Sequence, residues 1–383
     1  MGVPEAIPPS ATAALTATLD ARLERLRTTK GIPGISVSII FADGSAWHGA
    51  SGLADVASGR PVTADTAFAI ASVSKTFTAA LILGLVADGR LRLDSTAKTY
   101  LTGVTIDPKI TIRQLLDHTS GLRDFYFGPR IDKALLSKPG LVWDAKRALG
   151  YVGKPYAKPG AAWHYSNTNY LVLGLVAEAV GHAPVATQLH DRFFGPLGLD
   201  HTWYQGVDVP LGGIATGYRF TGADPLLPAI SLSDGSAVAP FTSVVTASGA
   251  AGSVAATADD LARWAAALYG GHALDDASRA AMVGDVVHAG KGAGAITYGL
   301  GVQVVDIGGR LTYGHAGRFL GARAALRWLP GERIAIAVTT NQSRTDPNVI
   351  VADLLRVVFP PPLPPAPTAA PLSSACPTCP VAR

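Results

Sequence analysis

Apolar residues recur with helical spacing close to the start of the chain. Leu15, Leu19, Leu23 and Leu26 stand four or three residues apart, which places their side chains on one face of a helix. A glycine and a proline, both typical of helix ends, follow at once. The pattern therefore predicts an amphipathic helix over 11–30.

Alternation of apolar and small polar residues predicts strands at both ends of the chain. Near the N-terminus, strands over 35–41 and 46–52 flank a tight turn at Asp43 and Gly44. Near the C-terminus the same alternation predicts strands over 298–305, 310–313, 322–329 and 333–340. A helical pattern over 348–359 follows the last of these strands.

The chain between the strands has helical periodicity, and it predicts helices over 81–87, 112–116, 170–180 and 259–268. Strands from both ends with helices between them indicate an α/β (α+β) fold. We expect an antiparallel sheet flanked by helices, with an inserted all-helical lobe. The expected α/β lobe takes 10–75 and 281–358, and the expected helical lobe takes 76–280.

The residues from 359 to 383 are rich in proline, alanine and serine, a composition typical of a disordered or extended tail. Both cysteines of the chain, Cys376 and Cys379, belong to this tail. The body therefore has no thiol to act as a nucleophile or a metal ligand.

Composition narrows the class of protein. Hydrophobic residues make up 48% and charged residues 16%, which excludes a chain disordered throughout. The net charge of +4 comes without a run of like charges, so no nucleic-acid partner is expected.

The longest apolar stretch, 76–87, is shorter than the roughly 20 residues of a membrane span. The first residues have no basic segment followed by an apolar one, so the chain as it stands is expected in the cytoplasm, or in the periplasm or secreted if an export signal was removed.

Ser72 and Lys75 stand three residues apart where a helix is expected to begin, and this spacing puts them on one face. A hydroxyl there lies beside free backbone amides, and a nearby lysine can help to remove its proton. Ser72 is equally well interpreted as a helix-capping serine. A second such pair, Ser95 and Lys98, lies in a predicted surface turn, and we interpret it as a chance match.

Tyr165 and Asn167 form a second candidate group. A tyrosine is a poor base at its usual pKa of about 10, but a lysine ammonium beside it favours the phenolate, which can accept a serine proton. The amide of Asn167 can hold a substrate carbonyl or the lysine. Taken alone, Tyr165 is more simply interpreted as a side chain packed in a turn.

A third group, at 314–318, lies between two predicted strands. Its glycines allow a substrate to approach closely, and amides of this edge could bind an oxyanion together with the amide of Ser72. His315 could donate to a substrate carboxylate or ester oxygen. Taken alone, it is also typical of a turn in a glycine-rich hairpin.

The three groups in this order resemble the penicillin-binding protein and serine β-lactamase superfamily. The resemblance is to its branch with S-x-x-K, Y-x-N and K/H/W-x-G motifs, which contains class C β-lactamases, D-Ala-D-Ala carboxypeptidases, D-aminopeptidases and β-lactamase-like esterases. Further similar segments lie at 115–122, 249–261, 298–301 and 337–341. The resemblance spans about 10–358.

The resemblance implies a β-lactamase/transpeptidase-like fold with the site between its lobes, and no metal or organic cofactor. It implies that Ser72 is the acylated nucleophile, that Lys75 tunes the charge around it, and that Tyr165 is the general base and then the acid. The substrate-binding residues that it implies are Asn167, His315, Gly317 and Arg318, with the amides of Ser72 and Arg318 as the oxyanion hole.

The expected function is that of a serine hydrolase acting through a Ser72 acyl-enzyme on a small ester, amide or D-amino-acid peptide. Class C β-lactamases typically have lysine where this chain has His315, and an imidazole is a weaker anchor for the β-lactam carboxylate than an ammonium. A β-lactamase is therefore less favoured. The same residues would also serve an acyltransferase or a catalytically idle penicillin-recognising module.

Overall fold

The computed structural model of the chain describes residues 9–220, 229–289 and 296–360. The predicted tail, with Cys376 and Cys379, lies outside the described residues from position 361 onward.

Both ends of the chain contribute to one large antiparallel sheet. The described strands are, in chain order, β1 (Gly34–Ile40), β2 (Ala46–Asp55), β3 (Arg60–Pro61), β4 (Phe68–Ala69), β5 (Thr202–Tyr204), β6 (Gly217–Phe220), β7 (Ala229–Leu232), β8 (Val254–Ala256), β9 (Val287–Ala289), β10 (Ile296–Tyr298), β11 (Gln303–Asp306), β12 (Leu311–Phe319), β13 (Ala322–Leu329) and β14 (Ile334–Thr340). Nine of them form the sheet in the order β3-β2-β1-β14-β13-β12-β11-β10-β9. The N-terminal strand β1 pairs with the last strand, β14, and Val37 lies opposite Val338.

The described helices are, in chain order, α1 (Ala13–Thr29), α2 (Ser74–Ala87), α3 (Ile112–Leu116), α4 (Ile131–Leu136), α5 (Ala145–Leu149), α6 (Asn167–Gly181), α7 (Val185–Leu189), α8 (Thr242–Ser248), α9 (Ala258–Gly270), α10 (Asp276–Gly284) and α11 (Pro347–Val358). No single helix of the described ranges is long and apolar enough to cross a bilayer. Among the helices that the structure describes, only α6 together with the segment Val185–Phe194 meets the length and composition of a span, and this pair is bent by 77°.

The two terminal helices cover one face of the sheet. The Thr12 side chain caps α1, and the Asp346 side chain caps α11, which has Pro347 at its start. Leu19 and Leu354 are fully buried in the core that these helices share with β1 and β14. The helix predicted over 11–30 is therefore confirmed, and its leucine face is the buried one.

The opposite face of the sheet packs against the helices of the middle segment. Helix α2 is buried along most of its length. One of its contacts is the stack of Phe77 on Trp264 of α9, with ring centroids 4.2 Å apart. Helix α9 itself lies on β1 and β14. The aromatic pair thus joins the helix that begins beside Ser72 to the sheet.

The interval 76–280 is not entirely helical, which corrects the expectation of an all-helical insertion. It contains β5 and β8, which form a small sheet with β4, and the hairpin of β6 and β7. It also contains α9, which packs on the large sheet. Short strands of two to four residues are too brief to produce a detectable alternation in the sequence. The lobe boundaries at 76 and 280 stay a prediction.

Two strands near the C-terminus have other bounds than the sequence predicts. The strand predicted over 298–305 is interrupted, because Gly301 has a φ of +81° and packs so closely that an added Cβ would lie 2.4 Å from the Cβ of Ala79. Strand β12 runs on to Phe319. The segment 314–318 was expected between two strands, and it lies inside β12 instead.

Candidate active site

Ser72 lies in the short 3-10 turn Ala71–Val73, directly before α2. Lys75 follows one turn later, and its side chain is completely buried. Its Nζ lies 3.1 Å from Ser72 Oγ, 2.7 Å from Asn167 Oδ1 and 2.8 Å from the carbonyl oxygen of Ala251. The structure therefore brings the predicted serine and lysine into direct contact.

Burial controls the protonation of Lys75. Removal from water lowers its pKa to about 7, and the carboxylate of Asp124 opposes part of this shift. A neutral amine has two N–H groups, which match the two atoms that can only accept, Asn167 Oδ1 and the Ala251 carbonyl. Its lone pair then faces Ser72 Oγ, so a neutral Lys75 can accept the serine proton.

Tyr165 precedes α6, and its hydroxyl donates to Ser72 Oγ over 2.8 Å. Burial, and to a smaller extent the charge of Asp124, raises the pKa of Tyr165, while the hydrogen bond to Ser72 opposes the shift. Tyr165 is therefore a neutral phenol in the resting site. This differs from the expectation of a phenolate beside an ammonium, because burial disfavours the charged form of both groups.

Asn167 is the first residue of α6, and Asp124 fixes its orientation. Asp124 Oδ2 accepts from the Asn167 side-chain nitrogen at 2.7 Å and from its backbone N–H at 3.1 Å. The Asn167 oxygen is thereby turned toward Lys75. Sequence reasoning did not identify Asp124 as a site residue. The only feature of the sequence that could have pointed to it is its position two residues after the 115–122 segment.

The third group lies in the part of β12 where its pairing with β11 ends at Gly314, while its pairing with β13 continues. An added Cβ at Gly317 would lie 2.0 Å from the carbonyl oxygen of Ile70 and 3.2 Å from the backbone nitrogen of Ser72, so only glycine fits. The Ala316 N–H bonds Gln303 Oε1. Since backbone N–H groups two residues apart point the same way along a strand, the Arg318 N–H points to the same side of β12 as the Ala316 N–H. Ser72 and Arg318 line the same two cavities, so their amides are the candidates to bind one oxyanion.

His315 does not present a free nitrogen to a substrate, which corrects the expectation that it donates to a substrate carboxylate or ester oxygen. The residue is 1% exposed. Its Nδ1 contacts the Ala316 carbonyl oxygen at 2.6 Å and its Nε2 contacts the Tyr298 hydroxyl at 3.0 Å. Burial and the charge of Lys75 lower its pKa to about 3, so the ring is neutral.

Two cavities meet at Ser72. One, of about 290 Å³, is mainly apolar, and the side chains that make it so are Tyr126, Leu135, Leu136, Val244, Phe319 and Leu320. The other, of about 560 Å³ and named the polar cavity for the charged side chains that it contains, has a lining that includes Tyr165, Gln303, Arg318, Arg323, Asp346 and Asn348. Residues of the segment 124–139 contribute to the lining of both cavities, and the described residues of the segment 211–241 contribute to neither.

The pair Ser95 and Lys98 is no second site. Lys98 is exposed and donates to the carbonyl oxygen of Val104. Neither residue lines the two cavities at Ser72. The interpretation of this pair as a chance match agrees with that position.

Comparisons with known proteins place these residues in a wider context. The beta-lactamase family model matches residues 19–358. Penicillin-binding protein 4 of Amycolatopsis lactamdurans is 30% identical over 341 residues, which cover 84% of each chain. A D-aminopeptidase of Brucella anthropi is 28% identical over 82% of this chain but only 56% of its own length.

Solved structures have the same fold. A D-stereospecific amidohydrolase from Streptomyces sp. superposes with a TM-score of 0.75 at 25% identity, covering 91% of this chain and 98% of the other. The D-amino acid amidase from Ochrobactrum anthropi SV3, complexed with L-phenylalanine, superposes with a TM-score of 0.78 at 24% identity, covering 90% and 98%.

Proposed function

This chain belongs to the beta-lactamase family, and from that premise we propose that it is a serine hydrolase whose Ser72 forms an acyl-enzyme with small amides, esters or D-amino-acid peptides. One observation carries the proposal. Ser72 Oγ lies within hydrogen-bond distance of both Lys75 Nζ and the Tyr165 hydroxyl, beside two amides that suit a developing oxyanion.

Acylation uses Lys75 as the proton acceptor. The Ser72 proton moves to the neutral Nζ while Oγ bonds to the substrate carbonyl carbon, and the amides of Ser72 and Arg318 stabilise the carbonyl oxygen as it becomes negative. When the intermediate collapses, the bond to the leaving nitrogen or oxygen breaks, and the leaving atom takes the proton of Tyr165. The site then holds an acyl-serine, a lysine ammonium and a tyrosine phenolate.

Deacylation reverses these proton transfers. The Tyr165 phenolate, now beside an ammonium that stabilises it, takes a proton from water while the water oxygen adds to the acyl carbon. The acyl bond to Ser72 breaks, and Oγ recovers its proton from Lys75. Tyr165 therefore acts first as an acid and later as a base. The sequence-based expectation had these two roles in the opposite order.

The two cavities support a substrate with an apolar part and a negatively charged part. The apolar cavity suits a hydrophobic side chain. In the polar cavity, Arg318 has no ion-pair partner among the described residues. Burial lowers the pKa of Arg323, the nearby Arg318 charge lowers it further, and the Asp346 carboxylate opposes part of this shift. We propose that a carboxylate of the substrate lies between these two arginines.

The relatives named above support amide substrates, since one is named a D-aminopeptidase and another a D-stereospecific amidohydrolase. A Pseudomonas fluorescens protein named beta-lactamase is also similar, at 30% identity over 53% of this chain. We propose the amidase or peptidase activity over the β-lactamase activity, because His315 is neutral and buried.

The test is the intact mass of the protein after brief exposure to a p-nitrophenyl ester, a D-alanyl p-nitroanilide and a penicillin, with Ser72→Ala alongside. We expect an acyl adduct in the native chain and none in Ser72→Ala, with the anilide or the ester turned over faster than the penicillin. An adduct that persists in Ser72→Ala would remove Ser72 as the nucleophile. No adduct and no turnover with any probe would favour the idle module instead.

A further inference from the structure

Three buried aromatic side chains, His118, Tyr298 and His315, form a connected group beneath Tyr165. His118 belongs to the 115–122 segment and Tyr298 to the 298–301 segment, and neither segment takes part in the acylation or deacylation steps. The rings of His118 and Tyr165 pack with centroids 4.4 Å apart. The group therefore lies directly behind the phenol that contacts Ser72.

The surroundings of His118 fix its proton on Nε2. The backbone N–H of Ser166 donates to Nδ1 over 3.2 Å. The side-chain nitrogen of Asn169 also lies 3.0 Å from Nδ1, because the Asn169 oxygen is occupied by the Ser120 hydroxyl. Both neighbours of Nδ1 are donors, so Nδ1 must be the bare nitrogen. Burial lowers the pKa of His118 well below its usual value, and the neutral ring carries its hydrogen on Nε2.

The surroundings of His315 fix the opposite tautomer. Its Nδ1 lies 2.6 Å from the Ala316 carbonyl oxygen, which can only accept. Nδ1 must therefore carry the hydrogen, and Nε2 has a free lone pair. The two histidines thus present a donor and an acceptor toward the space between them.

The hydroxyl of Tyr298 lies between the two histidine rings. The hydroxyl lies 3.2 Å from His118 Nε2 and 3.0 Å from His315 Nε2. It accepts from the first and donates to the second. The Tyr170 hydroxyl also lies within hydrogen-bonding reach of the Tyr298 hydroxyl. Tyr170 donates its own hydrogen to the Leu116 carbonyl, and its phenol oxygen is a weaker acceptor for the Tyr298 hydrogen than the imidazole lone pair of His315. Every hydrogen in the chain from Ser166 to Ala316 is thereby assigned.

This chain of hydrogen bonds joins two parts of the site that are remote in sequence. At one end is the backbone N–H next to Tyr165, and at the other is the carbonyl of Ala316, two residues before the Arg318 amide. We propose that His118, Tyr298 and His315 are positioning residues that hold the Tyr165 segment and β12 at a fixed separation around Ser72. The proposal rests on the proposed function for its kinetic consequence, but not for the hydrogen-bond pattern itself.

The first test removes the central hydroxyl with Tyr298→Phe. Misplacing Tyr165 relative to the oxyanion amides should lower kcat on the order of 10- to 100-fold. We expect KM to change much less, because substrate contacts remain. The matched control is Tyr269→Phe, since the Tyr269 hydroxyl is buried and has no hydrogen-bond partner within the described ranges. Equal kcat values for the two variants would overturn the proposal.

The second test asks whether the residues act as a unit. His118→Asn keeps an acceptor for the Ser166 N–H and removes the donor to Tyr298. If the chain acts through its continuity, adding Tyr298→Phe to His118→Asn costs little more than the larger single effect. A double variant slower by the product of the two single effects would mean independent structural damage and would contradict the proposal.

The third test needs no substrate, and its readout is taken from the native chain. The protein has nine histidines, and ¹⁵N NMR of the histidine-labelled native chain distinguishes the two neutral tautomers. We expect His118 to carry hydrogen on Nε2 and His315 on Nδ1, with both rings neutral at pH 7. Signals are assigned by their loss in His118→Asn and His315→Asn. Reversed tautomers or charged rings would refute the proposed hydrogen-bond pattern even in an active enzyme. The expected tautomers in an inactive protein would count only against the proposed function.

Discussion

Lys75 and Asp124 set the charge at the centre of the site. Lys75 is completely buried, and loss of solvation outweighs the attraction of the Asp124 carboxylate, so that its pKa falls to about 7. A lysine with its ordinary pKa would be an ammonium at neutral pH and could not accept a proton. In the mechanism that we propose, burial of this one side chain therefore allows it to take the serine proton.

The pH dependence of kcat/KM should reflect this amine. Because the neutral form is the active one, kcat/KM should rise with pH through about 7 and level off above it. Asp124→Asn removes the charge that favours the ammonium, so the acid limb should move to lower pH. Rate profiles of the native chain and the variant measure this shift. A limb that keeps its position in Asp124→Asn would exclude Lys75 as the titrating group.

Tyr165→Phe should lower kcat by about 100-fold or more while KM changes little, because the variant lacks the proton for the leaving group and the base for water. Steady-state kinetics with an anilide substrate measure both constants. Tyr269→Phe, at a residue that lines neither cavity at Ser72, serves as the control. Near-native kcat in Tyr165→Phe would remove Tyr165 from the mechanism.

Strand β12 and the turn before α2 approach each other more closely than side chains allow. Gly317 faces the Ile70 carbonyl oxygen at a distance where no Cβ fits. In the mechanism that we propose, this contact brings the amides of Ser72 and Arg318 to one side of the substrate carbonyl. The proposed oxyanion hole thus needs two elements, a strand and a helix start.

Gly317→Ala should separate these elements and reduce kcat/KM on the order of 100-fold. An added Cβ at Gly331 meets nothing within 4 Å, so Gly331→Ala is the matched control and should keep native kinetics. Kinetics with the ester probe and the melting temperature of each variant are the measurements. A fully active Gly317→Ala would mean that the strand does not contribute the oxyanion hole.

The two chain ends stabilise the molecule as a whole. Helices α1 and α11 cover one face of the sheet, with Leu354 fully buried between them and the strands. The Arg22 and Asp353 side chains form an ion pair across these helices. The sheet that carries β12 is therefore supported from the face opposite the site.

Leu354→Ala should lower the free energy of unfolding by about 2–5 kcal/mol, through lost burial and the cavity left behind. Val349, on the same helix, is 50% exposed, and Val349→Ala should change the free energy by less than about 0.5 kcal/mol. Urea unfolding of both variants checks the difference. Equal stabilities would show that α11 is not part of the cooperative core.

The charge of the polar cavity should select among substrates. Arg318→Ala keeps the backbone amide and removes the guanidinium, so kcat/KM for an anilide with a free carboxylate should fall about tenfold. For the neutral anilide, kcat/KM of this variant should equal that of the native chain. Competition between the two substrates measures the ratio. An unchanged ratio would contradict carboxylate binding at Arg318 and Arg323.

The order of the elements could be predicted from the sequence because local patterns specify local structure. The leucine spacing of α1 and the alternation in β1, β13 and β14 are properties of neighbouring residues. The spacing of Ser72 and Lys75 is local as well, since three residues make about one helical turn. Tyr165 and His315 were candidates from their chemistry, and the resemblance of the three motifs to a known family supplied their roles in one site.

Tertiary structure alone decided how these residues behave. No local pattern reports that Lys75 is completely buried, that Asp124 turns Asn167 toward it, or that both nitrogens of His315 are engaged. These properties depend on contacts between residues far apart in the chain. Burial and long-range hydrogen bonds set the protonation of a side chain, and both exist only after the sheet and the helices have packed. The sequence determined which groups are present, and packing determined which of them can move a proton.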